Sequence, residues 1–145
     1  RSGENSIVIA EFLKPKELYL VDFYKDYTDG EHRTIEKQDK YLLQARETLK
    51  KIDYVMIIAE SVKASKLFND DYFNYVYIDA CHDQGPVSED IEAWYPKVKS
   101  KGILAGHDYK RGGPNGVSKA VDEFIADKHL ILFTGDEFDW SITKE

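Results

Sequence analysis

The chain has 145 residues, of which 42% are hydrophobic and 13% aromatic, and this composition argues against an intrinsically disordered chain. Its 27 acidic residues outnumber its 20 basic residues and give a net charge of −7. Because affinity for a phosphate backbone comes from Lys and Arg, we expect no nucleic-acid partner. A chain of this length is expected to form a single domain, residues 1–145, with a core of its own.

The cysteine content and the apolar runs limit the environment of the protein. Cys81 is the only cysteine, so the chain can form neither an intrachain disulfide nor a cysteine-based zinc site. A reducing, cytoplasmic setting is expected on this basis. The longest apolar run, residues 54–59, is far shorter than the roughly 18 residues of a membrane span. We therefore expect no membrane partner.

Apolar residues alternate between helical and strand periodicity along the chain. The first half is predicted to contain a helix at Ile7–Leu13 capped by Ser2 or Asn5, a strand at Leu18–Val21, a polar loop at Lys25–Lys40 that runs into a helix at Leu42–Ile52, a strand at Val55–Ala59 and a short helix at Val62–Leu67. The second half is predicted to contain a strand at Tyr75–Ile78, a helix at Val87–Tyr95, a turn at Lys101-Gly102, a strand at Ile103–Ala105, a loop at Lys110–Gly116, a helix at Val117–Ile125 and two closing strands at Leu130–Phe133 and Phe138–Ile142, with Gly135-Asp136 turning between them.

This alternation predicts an α/β fold with a mostly parallel, twisted sheet and helices on both faces. The closing pair of strands is joined by a tight turn and is expected to add an antiparallel strand at one edge. The chain contains no internal repeat and no low-complexity tract.

Acidic residues follow four of the predicted strands: Asp22, Glu60, Asp79 and Asp108. In open α/β sheets, ligands bind beyond the carboxyl ends of the strands, so this pattern predicts a site there. Two carboxylates at adjacent strand ends repel each other unless one is protonated or a cation lies between them. Oxygen ligands of this kind suit Mg²⁺. His82, three residues after Asp79, is placed to accept a proton near neutral pH.

Each of these residues also has a structural explanation that the sequence leaves open. Asp79 can cap the helix or loop that follows it, and His82 can be a solvated loop residue. Asp108 can form hydrogen bonds with the glycine-rich loop that follows it. His107 is expected to be structural, or to support a ligand rather than be one.

Three segments, Tyr75–His82, Asp90–Trp94 and Gly102–Tyr109, together resemble the class I S-adenosylmethionine (SAM)-dependent methyltransferases. The combination of Ile-Asp-Ala-Cys-His with Gly-His-Asp-Tyr is most similar to the metal-dependent small-molecule O-methyltransferase branch. That branch includes macrocin O-methyltransferase and, more distantly, catechol O-methyltransferase. The resemblance implies a Rossmann-like fold, SAM as cofactor, Mg²⁺ as the candidate metal and a small-molecule hydroxyl as acceptor. The resemblance is compatible with a homo-oligomer but does not determine the oligomeric state.

The resemblance also implies roles for individual positions. Asp22 corresponds to the acid that binds the ribose hydroxyls, and a carboxylate suits that task because it accepts two hydrogen bonds. Glu60 and Ser61 fall where the family contacts the adenine end, and Gly3 falls on the last glycine of the cofactor loop. The implied positions are Gly3, Asp22, Glu60, Ser61 and Asp79 for SAM, Asp79 and Asp108 for the metal, and His82 for the general base.

The sequence departs from the family pattern in two places. The family's first strand and most of its glycine-rich loop have no counterpart, so we expect the natural protein to have residues upstream of Arg1. Tyr109 stands where catechol-type enzymes have an amide. Two other functions are therefore also compatible with the sequence. One is metal-independent methyl transfer, in which Asp79 and Asp108 only shape the site. The other is a degenerate Rossmann-like module that binds a nucleotide or a protein without catalysis.

Overall fold

The computed structural model describes residues 3–24, 35–135 and 137–145. For residues 35–37 it describes only the backbone. The chain divides into two compact units, Arg1–Ala64 and Ser65–Glu145. Among the residues described, no helix combines the length and the apolar character needed to cross a membrane.

The described part of the first unit contains two longer helices, a pair of parallel strands and a short helix at its C-terminal end. Its elements are α1 (Glu4–Leu13), β1 (Tyr19–Asp22), α2 (Ile35–Thr48) and β2 (Val55–Ile58), followed by the short helix α3 (Ser61–Ser65). β1 and β2 pair in register from Tyr19 opposite Val55 to Asp22 opposite Ile58. α1 and α2 contact each other, and Ala45 and Leu49 of this region are buried.

The second unit contains a four-stranded sheet with two packed helices. Its elements are β3 (Phe73–Ile78), α4 (Gln84–Trp94), a 3₁₀ turn (Tyr95–Lys97), β4 (Val98–Gly106), α5 (Gly116–Lys128), β5 (Leu132–Thr134) and β6 (Trp140–Thr143). α4 and α5 pack against each other, and α4 also contacts β3. The buried apolar core of this unit comprises Ile78, Val87, Ile91, Trp94, Val98, Leu104, Ala105, Tyr109, Val117, Ala120, Val121, Phe124, Trp140 and Ile142.

The sheet of the second unit has the strand order β3-β4-β6-β5. β3 and β4 are parallel, while β6 is antiparallel to both β4 and β5. Three of these four strands therefore run in one direction, as the prediction of a mostly parallel sheet requires. The closing pair lies at one edge of the sheet and is joined in antiparallel fashion as predicted, with β6 next to β4 and β5 outermost. Burial explains this order: Trp140 and Ile142 of β6 are 2% and 1% exposed, whereas Phe133 of β5 is 58% exposed.

The predicted turn at Lys101-Gly102 is wrong, because both residues belong to β4. The turn signal corresponds to an irregularity within this strand. Lys101 has a φ of 65°, and the pairing with β3 shifts from Phe73 opposite Val98 to Tyr75 opposite Ile103. Two backbone hydrogen bonds with Lys144 hold this stretch in the sheet. Lys101 N donates to Lys144 O at 2.7 Å, and Lys144 N donates to Gly102 O at 2.9 Å.

The start of α1 differs from the prediction because a glycine, not Ser2 or Asn5, occupies the N-cap position. The residue before α1 is Gly3, which has a φ of 83° and makes no side-chain cap, so Asn5 is not the cap. A Cβ at Gly3 would lie 3.0 Å from Leu49 Cδ1, so both the backbone angle and the packing favour glycine there. Ser2, most of the predicted 25–40 loop and Asp136 of the predicted closing turn lie outside the described residues.

Candidate active site

Adjacent parallel strands bring the predicted catalytic segments together. Asp79 follows β3, and Asp108 follows β4 after His107. Ile78 pairs with Gly106 at the ends of these strands, and His107 N donates to Ile78 O at 3.2 Å. A Cβ at Gly106 would lie 2.5 Å from Ile78 O and 2.7 Å from the Trp140 ring, so only glycine permits this close approach. The carboxyl ends of β3 and β4 therefore converge at one edge of the sheet.

Three of the predicted site residues meet at this edge. Asp79, His82 and Asp108 each offer one potential ligand atom, and these atoms lie within 4.8 Å of one another. His82 Nε2 lies 2.9 Å from Asp108 Oδ2. Asp79 and His82 are exposed, whereas Asp108 is buried. The carboxylates of Asp79 and Asp108 are oxygen donors of the kind that suits a divalent cation such as Mg²⁺ or Mn²⁺, and the imidazole of His82 lies beside them.

Nitrogen atoms surround the Asp108 carboxylate. Arg111 Nη1 donates a hydrogen bond to Asp108 Oδ1 at 3.0 Å, and His107 Nδ1 lies 3.2 Å from the same oxygen. Burial by itself raises the pKa of the Asp108 carboxyl. The hydrogen bond from Arg111 and the charges of His82 and His107 act in the opposite direction and together hold this pKa below its ordinary value. Asp108 is therefore a carboxylate at neutral pH.

The backbone of Asp108 is held in an uncommon conformation by the loop after β4. Asp108 has a φ of 63°, in the left-handed region that few residues other than glycine adopt. Asn115 Nδ2 donates to Asp108 O at 2.8 Å and to Arg111 O at 3.3 Å. Tyr109 N donates to Phe138 O at 2.8 Å. These bonds hold the backbone around Asp108 in the loop that follows β4.

Tyr109 directs its hydroxyl to α5. Its Oη donates to Asp122 Oδ1 at 2.7 Å, and the residue is 8% exposed. In this geometry Tyr109 is a packing residue, with its hydroxyl bound to Asp122.

A small cleft lies beside the three clustered residues. Its walls include Asp79, His82, His107 and Trp140, together with Ile78, Ala80, Cys81, Val87 and Val117, and it has room for about one water molecule. Trp140 is almost fully buried, and its Nε1 has no hydrogen-bond partner among the residues that the structure describes. A buried N–H normally finds a partner, so this donor suits an oxygen that enters the cleft.

The remaining predicted residues belong to the first unit. Asp22 ends β1, and its Oδ1 accepts a hydrogen bond from Tyr24 N at 3.1 Å. Burial, followed by the negative charge of Asp22, raises the pKa of Tyr24 to about 12. Glu60 lies two residues beyond Ile58, the partner of Asp22, and forms an ion pair with Lys63 at 2.6 Å. Asp22 and Glu60 therefore follow the ends of two paired parallel strands, and Ser61 begins α3.

The structure distinguishes between the explanations that the sequence left open. Asp83, not Asp79, is the residue that precedes α4 at its N-cap. Asp108 does bind the following loop, through Arg111. Arg111 and Asn115 are not among the residues predicted from the sequence. For Asn115 the signal was the Asn-x-x-Ser pattern, which is typical of a capped helix start, whereas Arg111 lies in a loop, where its spacing from Asp108 predicts no contact.

Comparison with known proteins identifies the family. Residues 1–109, three quarters of the chain, match a family model described as a methyltransferase domain. The chain belongs to this methyltransferase family. The predicted membership of the class I methyltransferases is thereby confirmed. No curated protein matches the sequence.

Solved structures show the same fold for this methyltransferase domain. The O-methyltransferase NovP is 17% identical with a TM-score of 0.68, and the match covers 95% of this chain and 64% of NovP. CalS11, a TDP-rhamnose 3′-O-methyltransferase of calicheamicin biosynthesis, is 13% identical with a TM-score of 0.61, and the match covers 97% of this chain and 66% of CalS11. The SAH-bound methyltransferase PaMTH1 from Podospora anserina is 17% identical with a TM-score of 0.61, over 99% of this chain and 77% of PaMTH1. The Rossmann-like fold is thus confirmed, and the chain spans slightly less than two thirds of the NovP and CalS11 chains.

Proposed function

We propose that this methyltransferase domain transfers a methyl group from SAM to the hydroxyl oxygen of a small molecule. The observation that carries the proposal is the pair formed by His82 and Asp108 beside Asp79. These residues lie beyond the carboxyl ends of parallel strands, where open α/β sheets bind ligands. Two solved proteins of the same fold, NovP and CalS11, are described as O-methyltransferases. The family match does not favour the non-catalytic module.

In this proposal His82 is the general base. SAM, when bound, supplies an electrophilic methyl group on a sulfonium. The His82 imidazole would accept the hydroxyl proton of the acceptor as the methyl group is transferred, and SAH would be the leaving group. The resulting imidazolium then lies 2.9 Å from the Asp108 carboxylate, which stabilises its positive charge. Asp108 suits this role because its lowered pKa keeps it ionised.

We further propose that Asp79 and Asp108 hold a divalent cation. The fit of the donor set supports this, and such a cation lowers the pKa of a nearby hydroxyl when bound. Metal-independent transfer is the second candidate. The observation that favours it is Arg111, which already compensates the charge of Asp108.

Binding of the cofactor is proposed for Gly3, Asp22, Glu60 and Ser61, together with Asp79. Asp22 would accept hydrogen bonds from the ribose diol, and its place at the end of β1 supports this role. The cytoplasmic setting, the single domain, the upstream strand, a homo-oligomer and the absence of nucleic-acid and membrane partners stay predictions.

The test of this function compares His82→Asn with His129→Asn. The second variant makes the same change at the C-cap of α5, away from the cluster. Formation of SAH from SAM is measured across a panel of sugar, catechol and aliphatic alcohol acceptors, and SAH binding is measured by calorimetry. We expect His82→Asn to lower kcat by roughly 10²–10⁴-fold with unchanged SAH affinity, and His129→Asn to have little effect.

Three other results would be informative. Full activity of His82→Asn would contradict the general base. Unchanged wild-type activity in excess chelator would favour the metal-independent reaction. Absence of SAH binding and of turnover with every acceptor would contradict the proposed function itself.

A further inference from the structure

Asp108 already has cationic and imidazole partners within its own chain. Arg111 Nη1 donates to Oδ1 at 3.0 Å, and His107 Nδ1 lies 3.2 Å from that oxygen. His82 Nε2 lies 2.9 Å from Oδ2. Both oxygens of this carboxylate therefore face nitrogen atoms, and one of these nitrogens carries a permanent positive charge.

A divalent cation at Asp79 and Asp108 needs a lone pair on an Asp108 oxygen. The Arg111 guanidinium and a divalent cation both carry positive charge, and both would bind the Asp108 carboxylate. We infer that Arg111 competes with the metal for Asp108 and thereby sets the affinity of this site for divalent cations. The inference rests on the metal site proposed above, and it adds a residue that changes the affinity of that site for divalent cations.

The side chain of Arg111 can leave Asp108 without disturbing the loop. Its backbone is fixed, since Arg111 N donates to Asp108 O at 3.3 Å and Arg111 O accepts from Asn115 Nδ2. Its side chain is 63% exposed, whereas that of Asp108 is 8% exposed. An ion pair with one solvated partner contributes little stability, so release of the guanidinium to water costs little. Arg111 therefore acts as an internal counterion that a metal displaces.

The experiment measures binding of Mn²⁺ alone, followed by the electron paramagnetic resonance signal of the free ion. It compares wild type, Arg111→Gln and Lys110→Gln. The control removes the same charge from the adjacent position, where Lys110 lies over the Tyr109 ring, 4.9 Å from its centroid. We expect Arg111→Gln to bind Mn²⁺ at least about threefold more tightly than wild type, because an exposed ion pair of this kind no longer opposes binding. Lys110→Gln should bind Mn²⁺ nearly as wild type does.

Two results would overturn the inference while leaving the proposed methyl transfer intact. Equal tightening in both variants would show a general charge effect of the loop. Unchanged affinity in Arg111→Gln would show that the guanidinium does not compete. If none of the three proteins binds Mn²⁺, the inference and the metal site fail together, and methyl transfer measured in chelator decides separately whether the enzyme function stands.

Discussion

Asp108 combines burial with a full negative charge. Burial opposes ionisation of its carboxyl, but Arg111, His82 and His107 outweigh this effect and keep the pKa below the ordinary value of about 3.9. A carboxyl whose pKa is lower in the folded state stabilises the protein above its unfolded-state pKa. This contribution disappears as the pH falls through the lowered folded-state pKa. The charge of Asp108 is therefore linked to folding as well as to the site.

Asp108→Asn should reveal this linkage. At pH 7 we expect the substitution to lower the free energy of unfolding by about 1–3 kcal/mol, since a charge-assisted hydrogen bond is lost. The difference from wild type should shrink as the pH falls below about 4. Urea unfolding of both proteins across this range measures it. Asp127→Asn is the control, because Asp127 is largely exposed. A difference that stays constant with pH would contradict the prediction.

At the scale of elements, Asn115 connects the start of α5 to the site. Its Oδ1 accepts from Ser118 N at 2.9 Å, and Ser118 Oγ accepts from Asn115 N at 3.0 Å. The amide nitrogen of the same side chain donates to Asp108 O and Arg111 O. One residue thus caps the helix and holds the loop whose backbone directs Asp108.

Two substitutions at Asn115 should separate these roles. Asn115→Ala removes both, and we expect a loss of about 1–2 kcal/mol in the free energy of unfolding together with reduced methyl transfer. Asn115→Asp keeps the oxygen that caps the helix but lacks the N–H donors to Asp108 O. Its stability should lie closer to wild type while its methyl transfer still falls. Urea unfolding and initial rates measure the two effects, and equal loss of stability in both variants would contradict the separation.

At the scale of the whole molecule, burial is uneven between the two sheets. Leu104 in β4 and Ile142 in β6 are almost fully buried. Val55 and Ile58, the two ends of β2, are 52% and 51% exposed. Local stability follows the density of buried apolar contacts, so the sheet of the second unit should open less readily.

Amide hydrogen exchange should show this difference. We expect the amides of β4 to exchange more slowly than those of β2, because the opening of β4 exposes more apolar surface. Mass spectrometry of peptides that cover residues 55–58 and 98–106 measures both rates in one sample. Similar protection of the two strands would contradict the expectation.

Local patterns in the sequence determined the order of the elements. The apolar stripe of α5, which includes Val117, Val121 and Phe124, is buried as the helical spacing requires. The strands β1 to β4 lie near their predicted positions, because short apolar runs bounded by polar residues are a local signal. Asp79, His82 and Asp108 converge because parallel neighbours present their carboxyl ends at one edge.

Only the tertiary structure decided the features that depend on distant pairing. β6 lies inside the sheet because burial of Trp140 and Ile142 outweighs chain order, and Lys101-Gly102 stays in β4 because Lys144 pairs with it. The partners of Asp108 likewise depend on how the loop after β4 folds back through Asn115. The sequence by itself determined which residues form the elements and which carboxylates end them. Strand order, register and the counterion at Asp108 were decided by contacts between distant segments, which local periodicity does not encode.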